Sequence, residues 1–400
     1  RGVTYFMGDD MVAGRPDDHR LRQLFSVVKI AEICNLQCPY CYFFFGKDGS
    51  FADDPAKMSL STIRRTAEFL VTGAEELGYS RVDISLHGGE PLMVGKRHFD
   101  ALCAIIQDVF ADRMPLGLHI QTNASLIDEE WVQIIKRHRI GVGVSLDGPQ
   151  HIHDINRVDK RGRGTYHKTI SGIKLLASQG VKVGILCVIT PGTDGGEIYK
   201  HLVKDLNQKS FDFLLPLQNW DNYDAATTEH ATRFYEGVLD AWLRDNDPTV
   251  SIRTLSDPLM AMLSDAGAAR RAAGLDSNLN AITIRSNGDI CPDDTLTSLN
   301  PAYRRTGHNV RTSDLASFMR HPLWDDLRAT ELSSKDECTG CRWWSICRGG
   351  HADHRFGAAT LFRRKTTYCE TYRAVYDRLS DYVAPVISPQ MLDARLGAVG

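Results

Sequence analysis

Apolar and polar positions along the chain follow two alternating periods. Residues 26–30 (Ser-Val-Val-Lys-Ile) read as a short apolar strand, and Val82, Ile84 and Leu86 alternate along a second strand at 82–86. Comparable apolar runs follow at 117–122, 141–146, 182–189 and 211–217. Between them the spacing turns helical: Ile63, Ala67, Leu70, Val71, Ala74 and Leu77 fall on one helix face. Ser59 or Ser61 can cap its start, and Gly78 fits its C-terminal stop. Further helices are predicted from about Asp128 to His138 and from Thr169 to Gln179, the latter stopped by Gly180. Repeated strand–helix alternation predicts right-handed βαβ units and a parallel sheet. Six units over roughly 200 residues fall short of a closed eightfold barrel. The expected fold class is therefore α/β, with an open, partial (β/α)6 TIM barrel.

After Leu217 the pattern changes. Residues 228–245 read as an amphipathic helix. From about 276 the sequence is irregular and rich in Cys, Gly, Arg and aromatic residues, which predicts a region held by something other than a large core. The expected organisation is an N-terminal segment at 1–23, a partial barrel at 24–227, a helical bridge at 228–275, and a cluster-bearing domain with a C-terminal tail at 276–400.

Composition narrows the classes. The 400 residues are 24% charged and 42% hydrophobic, which excludes disorder of the whole chain. A net charge of -3 without a long basic run argues against nucleic acid as a partner. No apolar run approaches the roughly 20 residues of a membrane span, and no signal-peptide pattern opens the sequence. A cytoplasmic location is expected, and there the ten cysteines do not suggest a disulfide framework. Three lie near the start, four near the end and three between; closely spaced cysteines in this setting point to metal or iron–sulfur ligation.

The first group is Cys34-Asn-Leu-Gln-Cys38-Pro-Tyr-Cys41, directly after the first strand. A tight loop can place three such thiolates on one face of a [4Fe–4S] cubane and leave one iron open to a small chelating molecule. The competing reading is a zinc loop, but structural zinc wants four ligands, and no fourth Cys or His lies close by in the sequence. Two further elements follow strands: His87-Gly88-Gly89-Glu90-Pro91 after 82–86, where glycines let the backbone approach a ligand closely, and Gln121-Thr122-Asn123 at the end of the next. Ser145-Leu-Asp147-Gly148-Pro ends the strand after that, and Arg157 closes His-Asp-Ile-Asn-Arg.

This Cys-x3-Cys-x2-Cys loop, with aromatic Tyr40 before its last cysteine, resembles the radical S-adenosylmethionine (radical SAM) superfamily. The resemblance implies that the open iron chelates SAM and that one electron cleaves it to a 5'-deoxyadenosyl radical, which abstracts hydrogen from an unactivated carbon. It further implies cofactor contacts from Tyr40, Gly88, Gly89, Glu90, Gln121, Asn123, Ser145 and Arg157. Glu90 would receive the SAM amino group, while Ser145 and Arg157 would meet its carboxylate, which suits the planar arginine fork. Ala124 stands where the family's Gln-Thr-Asn-Gly carries its glycine. Read alone, the Gly-Gly element is a strand–helix turn and Arg157 a solvated charge.

The second group is Cys338-Thr-Gly-Cys341, Cys347 and Cys369. Four thiolates close a tetrahedral zinc site or a cubane equally well by spacing. The pattern resembles the SPASM extension of peptide-modifying radical SAM enzymes, which implies one auxiliary [4Fe–4S] cluster here. A second auxiliary cluster would need further cysteines; the hairpin Ser286-Asn-Gly288-Asp-Ile-Cys291 supplies one, two upstream are absent, and position 351 is His. Cys291 is then expected as a free thiol, and Cys103 and Cys187 as core residues. His351 and His354 read either as a metal pair or as hydrogen-bonded groups beside a cluster. By the same resemblance, in which an Asp of this region takes the proton as the substrate radical loses its electron, Asp293 and Asp294 are candidate catalytic bases; the other reading is an Asx turn or helix cap.

The run Cys347-Arg-Gly-Gly-His351-Ala-Asp-His354-Arg355 and the loop Cys41-Tyr-Phe-Phe-Phe-Gly-Lys-Asp are similar to maturases of the FxsB and XyeB types, which form three-residue cyclophanes in ribosomally made precursor peptides. The implied function is abstraction of a side-chain hydrogen, at Cβ, followed by a cross-link to an aromatic residue. Implied partners are the precursor peptide and a flavodoxin- or ferredoxin-type electron donor. Residues 1–23 look too short for a peptide-binding domain, so a separate peptide-recognition protein could serve. Alternatives are an anaerobic sulfatase-maturating, formylglycine-forming enzyme, thioether formation, and a non-catalytic metal-binding module.

Overall fold

The computed structural model describes residues 23–46, 49–278, 281–327 and 335–396. Apart from Gln23, the expected N-terminal segment lies outside these, as do Lys47 and Asp48 of the aromatic loop. The six expected strands form as β1 (Gln23–Ala31), β2 (Arg81–Gly88), β3 (Leu116–Thr122), β4 (Gly141–Ser145), β5 (Val183–Val188) and β6 (Ser210–Leu214). Each pairs in parallel with the next, so all six C-termini meet at one edge. The connections carry α1 (Tyr42–Phe45), α2 (Leu60–Glu76), α3 (Lys96–Phe110), α4 (Glu129–Arg137), α5 (Gln150–Asn156), α6 (Tyr166–Ser178) and α7 (Gly195–Lys200). This is the α/β partial barrel that the alternation predicts.

Local signals decide most helix ends. Ser59, not Ser61, caps α2 by accepting from Thr62 N, and Gly78 takes φ +70° beyond its end. Asp128 caps α4. The helix expected from Thr169 begins three residues earlier, because Asp154 of α5 accepts from Tyr166 N at 2.9 Å. That cap comes from a neighbouring helix and leaves no trace in local spacing. The bridge helix α8 (Ala225–Asp245) likewise starts before 228, with Asp224 accepting from Ala226 N and Thr227 N.

The larger difference lies beyond the barrel. After α8 come β7 (Ser251–Ile252), α9 (Arg253–Leu263), α10 (Asp265–Asn278), β8 (Ile282–Ile284), β9 (Ile290–Pro292) and the short α11 (Asp294–Thr297). β8 pairs in parallel with β1 and in antiparallel with β9, so the sheet among the described residues runs β7-β6-β5-β4-β3-β2-β1-β8-β9. The Gly288 hairpin therefore extends the barrel sheet across the boundary expected at 276. Nor is this region poor in core: Phe318, Trp324, Phe362, Tyr368 and Tyr376 are fully buried and continuous with the barrel interior. β8 and β9 have only three residues each, too short for alternation to register.

Candidate active site

The cysteine loop leaves the C-terminal end of β1. Leu36 N donates to Cys34 Sγ at 3.3 Å, Cys41 N closes a turn on Cys38 O at 3.0 Å, and Gln37 N reaches Val158 O at 2.8 Å. All three thiols are half-buried. Burial pushes Cys34 up to about 12, and the neighbouring Cys38 and Cys41 push the same way. Cys38 is raised by burial as well. A bound metal charge is what would turn such thiols into thiolates, so this donor set fits a cluster.

Gly88 and Gly89 serve this loop. Gly89 N donates to Ala31 O and Glu90 N to Ile33 O, both at 2.8 Å. A Cβ on Gly88 would stand 2.1 Å from Ala31 O, and one on Gly89 2.5 Å from Ile33 O. The close approach read from the glycines is thus to the cysteine-loop backbone. Glu90 is buried, and its carboxylate accepts from Leu92 N (3.1 Å), Thr122 Oγ1 (2.7 Å) and Asn123 N (2.8 Å). Burial nevertheless pushes it up to about 7. With roughly four acceptor positions on a carboxylate, about one remains for a ligand ammonium.

Around the same edge, Asn123 Nδ2 donates to Asn35 Oδ1 (2.9 Å) and Gln121 Nε2 to Ser145 Oγ (2.9 Å). These buried polar groups at strand ends fit a polar ligand such as SAM. Arg157 is not a solvated charge. Its Nε lies 2.9 Å from Asp147 Oδ2 and its guanidinium 5.5 Å from the Tyr40 ring centroid. Asp147, fully buried, also accepts from Tyr40 OH (2.5 Å) and Val188 N (3.0 Å). The structure thus joins Tyr40, Asp147 and Arg157 in one clamp on the cysteine loop.

Asp293 and Asp294 separate into different roles. Asp293 is the cap of α11, accepting from Thr295 N and Oγ1. Asp294 turns inward, with Oδ2 2.5 Å from Lys29 Nζ and accepting from Tyr42 OH at 2.5 Å. Lys29 is fully buried on β1; its ammonium also meets His87 Nδ1 at 3.2 Å and stands over Phe43, 4.6 Å from the ring centroid. Burial opposes the charge on Asp294, but the Lys29 ammonium outweighs it and holds the carboxyl down to about 2. Asp293 is pushed up to about 7 by burial and by the charge of Asp294. Lys29, His87, Tyr42 and Asp147 were given no role by sequence reasoning. The available signal was a lone lysine inside an apolar strand, because lysine is rarely buried unpaired.

Cys338, Cys341, Cys347 and Cys369 line one open pocket with Trp343, Trp344, Tyr372 and Tyr376. Cys338 is raised to about 11 and Cys347 to about 12, by burial first and then by the other cysteines. Among the described residues no three His, Cys, Asp or Glu side chains converge as ligands of one metal ion. Four thiols lining one pocket are a donor set that fits an iron–sulfur cluster. His354 is fully buried, with Nδ1 2.8 Å from Gln218 O, a structural hydrogen bond. Cys291 is buried on β9 and donates to Arg304 O at 3.5 Å; Cys103 lies on α3 and Cys187 on β5. Among the described residues no helix is long and apolar enough to cross a membrane.

Comparison with known proteins agrees with this fold. Residues 28–203 match the sequence model of the radical SAM superfamily. The chain is 25% identical over 359 residues to the cysteine-type anaerobic sulfatase-maturating enzyme of Clostridium perfringens (strain 13 / Type A), covering 86% of this chain and 92% of the relative. The structure of native anSMEcpe with bound AdoMet and Cp18Cys peptide superposes with a TM-score of 0.75 at 22% identity, covering 94% of this chain and 99% of the other. Streptococcus suis SuiB bound to S-adenosylmethionine superposes with a TM-score of 0.55 at 20% identity, covering 87% and 75%. The last two likenesses are of fold.

Proposed function

Since this chain is a radical SAM enzyme with a [4Fe–4S] cluster and SAM as its cofactors, we propose that its substrate is a ribosomally made precursor peptide. The peptide loses a side-chain hydrogen, at Cβ, and the carbon joins an aromatic ring nearby, giving a three-residue cyclophane. One observation carries the reading: Asp294 is held ionised by one oxygen, while its Oδ1 is buried and, among the described residues, has no hydrogen-bond partner. A buried carboxylate oxygen left unpaired is costly unless a ligand supplies the donor.

The cluster held by Cys34, Cys38 and Cys41 would supply, with SAM, the hydrogen-abstracting radical. The protein's own residues do the rest. Gly88 and Gly89 hold the cysteine loop against β2, and Glu90 offers its remaining acceptor position to the SAM ammonium. Gln121, Asn123 and Ser145 line the same edge. Tyr40, Asp147 and Arg157 fix the loop, and Arg157 also brings positive charge to the SAM carboxylate. Restoring aromaticity after ring addition releases one proton and one electron; Asp294 Oδ1 takes the proton. Cys338, Cys341, Cys347 and Cys369 would hold an electron-accepting auxiliary [4Fe–4S] cluster.

Formylglycine formation is the second reading, favoured by the named activity of the Clostridium perfringens relative. Iron and product separate the two. Anaerobic reconstitution should give about eight irons per chain, from two four-iron clusters. Co-expression with the peptide encoded beside the gene should yield a product lighter by two hydrogen atoms, without fragment ions inside a three-residue span. About twelve irons, with oxidation of the Cp18Cys peptide to an aldehyde, would favour formylglycine formation. Zinc without iron after anaerobic purification would leave only a metal-binding module.

A further inference from the structure

Lys29 is a fully buried cation on a central strand. Strand pairing sets it beside His87, its register partner on β2. The ring nitrogen Nδ1 of that histidine is 3.2 Å from Nζ. Burial and the Lys29 charge push His87 down to about 3, so the imidazole is neutral and accepts from the ammonium. The ammonium's second partner is Asp294 Oδ2, and Tyr42 OH donates to the same oxygen. The groups facing Asp294 are therefore Lys29 from β1, His87 from β2, Tyr42 from α1 and its own neighbour Asp293. Two of the three partners belong to the radical site, since Tyr42 directly follows Cys41 and His87 directly precedes Gly88. Both bonds to Asp294 fall on one oxygen, leaving Oδ1 without a partner among the described residues.

We propose that Lys29 is the positioning residue of the base, holding Asp294 ionised and anchored by Oδ2 so that Oδ1 faces the proton to be removed. Tyr42 keys the same carboxylate to the cysteine loop. This rests on the reading of Asp294 as the base. The proton leaves a substrate C–H or heteroatom–H bond and forms an O–H bond at Oδ1. The accompanying electron leaves to a one-electron acceptor of the iron–sulfur class. A lysine does this where an arginine fork would fill both oxygens. A neutral donor in its place would anchor Asp294 but give it no counter-charge.

Infrared spectroscopy of the reconstituted protein tests the charge without any peptide. The Asp294 band is isolated as the difference between each protein and the same protein carrying Asp294→Asn. Wild-type should show a carboxylate band at neutral pH, and Lys29→Met a protonated carbonyl band. Lys29→Arg should keep the carboxylate. A carboxylate band unchanged in Lys29→Met overturns the proposal. If Lys29→Met does not fold, Lys29→Gln, a donor without charge, is read the same way. Turnover on the peptide encoded beside the gene tests positioning. Lys29→Met should still release 5'-deoxyadenosine while cross-linked product falls by about 100-fold or more, the range for loss of a positioned base. Parallel loss of both would reduce Lys29 to a structural role. Full product formation by Asp294→Asn would refute the base itself. Product lost in Asp294→Asn but retained in Lys29→Met would refute only the clamp.

Discussion

Replacing Asp147 with Asn would leave a guanidinium buried without its counter-charge. The side chain of Arg157 is 10% exposed and that of Asp147 0%, so water cannot replace the lost carboxylate. Removing one partner of such a pair costs about 3–5 kcal/mol, because the remaining charge stays desolvated. Tyr40 OH loses its ionic acceptor as well, and a buried hydroxyl left unpaired costs about 1–3 kcal/mol. The two losses share Asp147 Oδ2 and do not add in full, so about 4 kcal/mol is expected from the range for a broken buried pair. A domain stable by about 5–15 kcal/mol survives that, but the cysteine loop, anchored through Tyr40, should open first. The assay is anaerobic chemical denaturation of Asp147→Asn, Arg157→Met and the double variant. The double variant should cost clearly less than the two single losses together, with a coupling of about 2 kcal/mol, inside the range for residues in contact. Iron retention at the first site then reads the loop, and SAM affinity reads the second task of Arg157. If Asp147→Asn costs under about 1 kcal/mol, in the range of an exposed pair, or if the cycle shows no coupling, the clamp is refuted.

Gly88→Ala should detach the cysteine loop, since its Cβ would sit 2.1 Å from Ala31 O. Overpacking of that kind costs about 1–3 kcal/mol, read as lost iron and a lower melting temperature; a normal iron content would contradict it. Cys38→Ala should abolish 5'-deoxyadenosine formation and keep the auxiliary iron, whereas Cys341→Ala should keep the first cluster and stop turnover on peptide, both read by electron paramagnetic resonance. Glu90 titrates near 7 in the folded protein against an ordinary 4.5. Between those values the folded protein holds a proton that the unfolded chain has released. The contribution of Glu90 to stability therefore falls by about 3 kcal/mol as pH rises through that window. SAM, through its ammonium, should favour the ionised form, so calorimetric SAM affinity should rise through pH 7, and Glu90→Gln should flatten the dependence; a flat wild-type profile would exclude the contact. Cys291→Ala should leave the iron content unchanged, because this thiol is buried on β9 and donates to the Arg304 carbonyl.

The sequence is legible where structure depends on neighbours along the chain. The six barrel strands, the Ser59 and Asp128 caps and the stops at Gly78 and Gly180 are all local events. The two cysteine groups are legible because ligand spacing is itself local. What escaped reading depends on residues far apart. Lys29 meets Asp294 across more than half the chain. Arg157 finds Asp147 only because β4 and α5 are adjacent in the fold. β8 joins β1 from across the bridge, and three residues are too few to announce a strand. The glycines of His87-Gly88-Gly89-Glu90 were read for a ligand, yet the backbone they admit is that of the cysteine loop, which no spacing rule names.

The topology of the remaining thiols bears on how electrons leave the substrate. After the two groups are set aside, Cys103, Cys187 and Cys291 lie on α3, β5 and β9. In the sheet order, β5 and β9 are six strand steps apart. At about 4.8 Å per step that is roughly 29 Å along the sheet, far beyond the span of one cluster. Cys187 and Cys291 therefore do not meet at one site. Burial raises the thiols of both Cys103 and Cys291. In the proposed reading, with one auxiliary site at Cys338, Cys341, Cys347 and Cys369, the electron released as the proton passes to Asp294 has its outlet beside these half-exposed thiols. In that reading the base and the electron acceptor are supplied by the same C-terminal region. Its hairpin is fixed to β1 by strand pairing and by the Arg285–Asp54–Arg304 ion pairs at 2.6 and 2.8 Å. Loosening that hairpin should therefore impair the second half of the reaction, proton and electron loss, before it impairs radical formation.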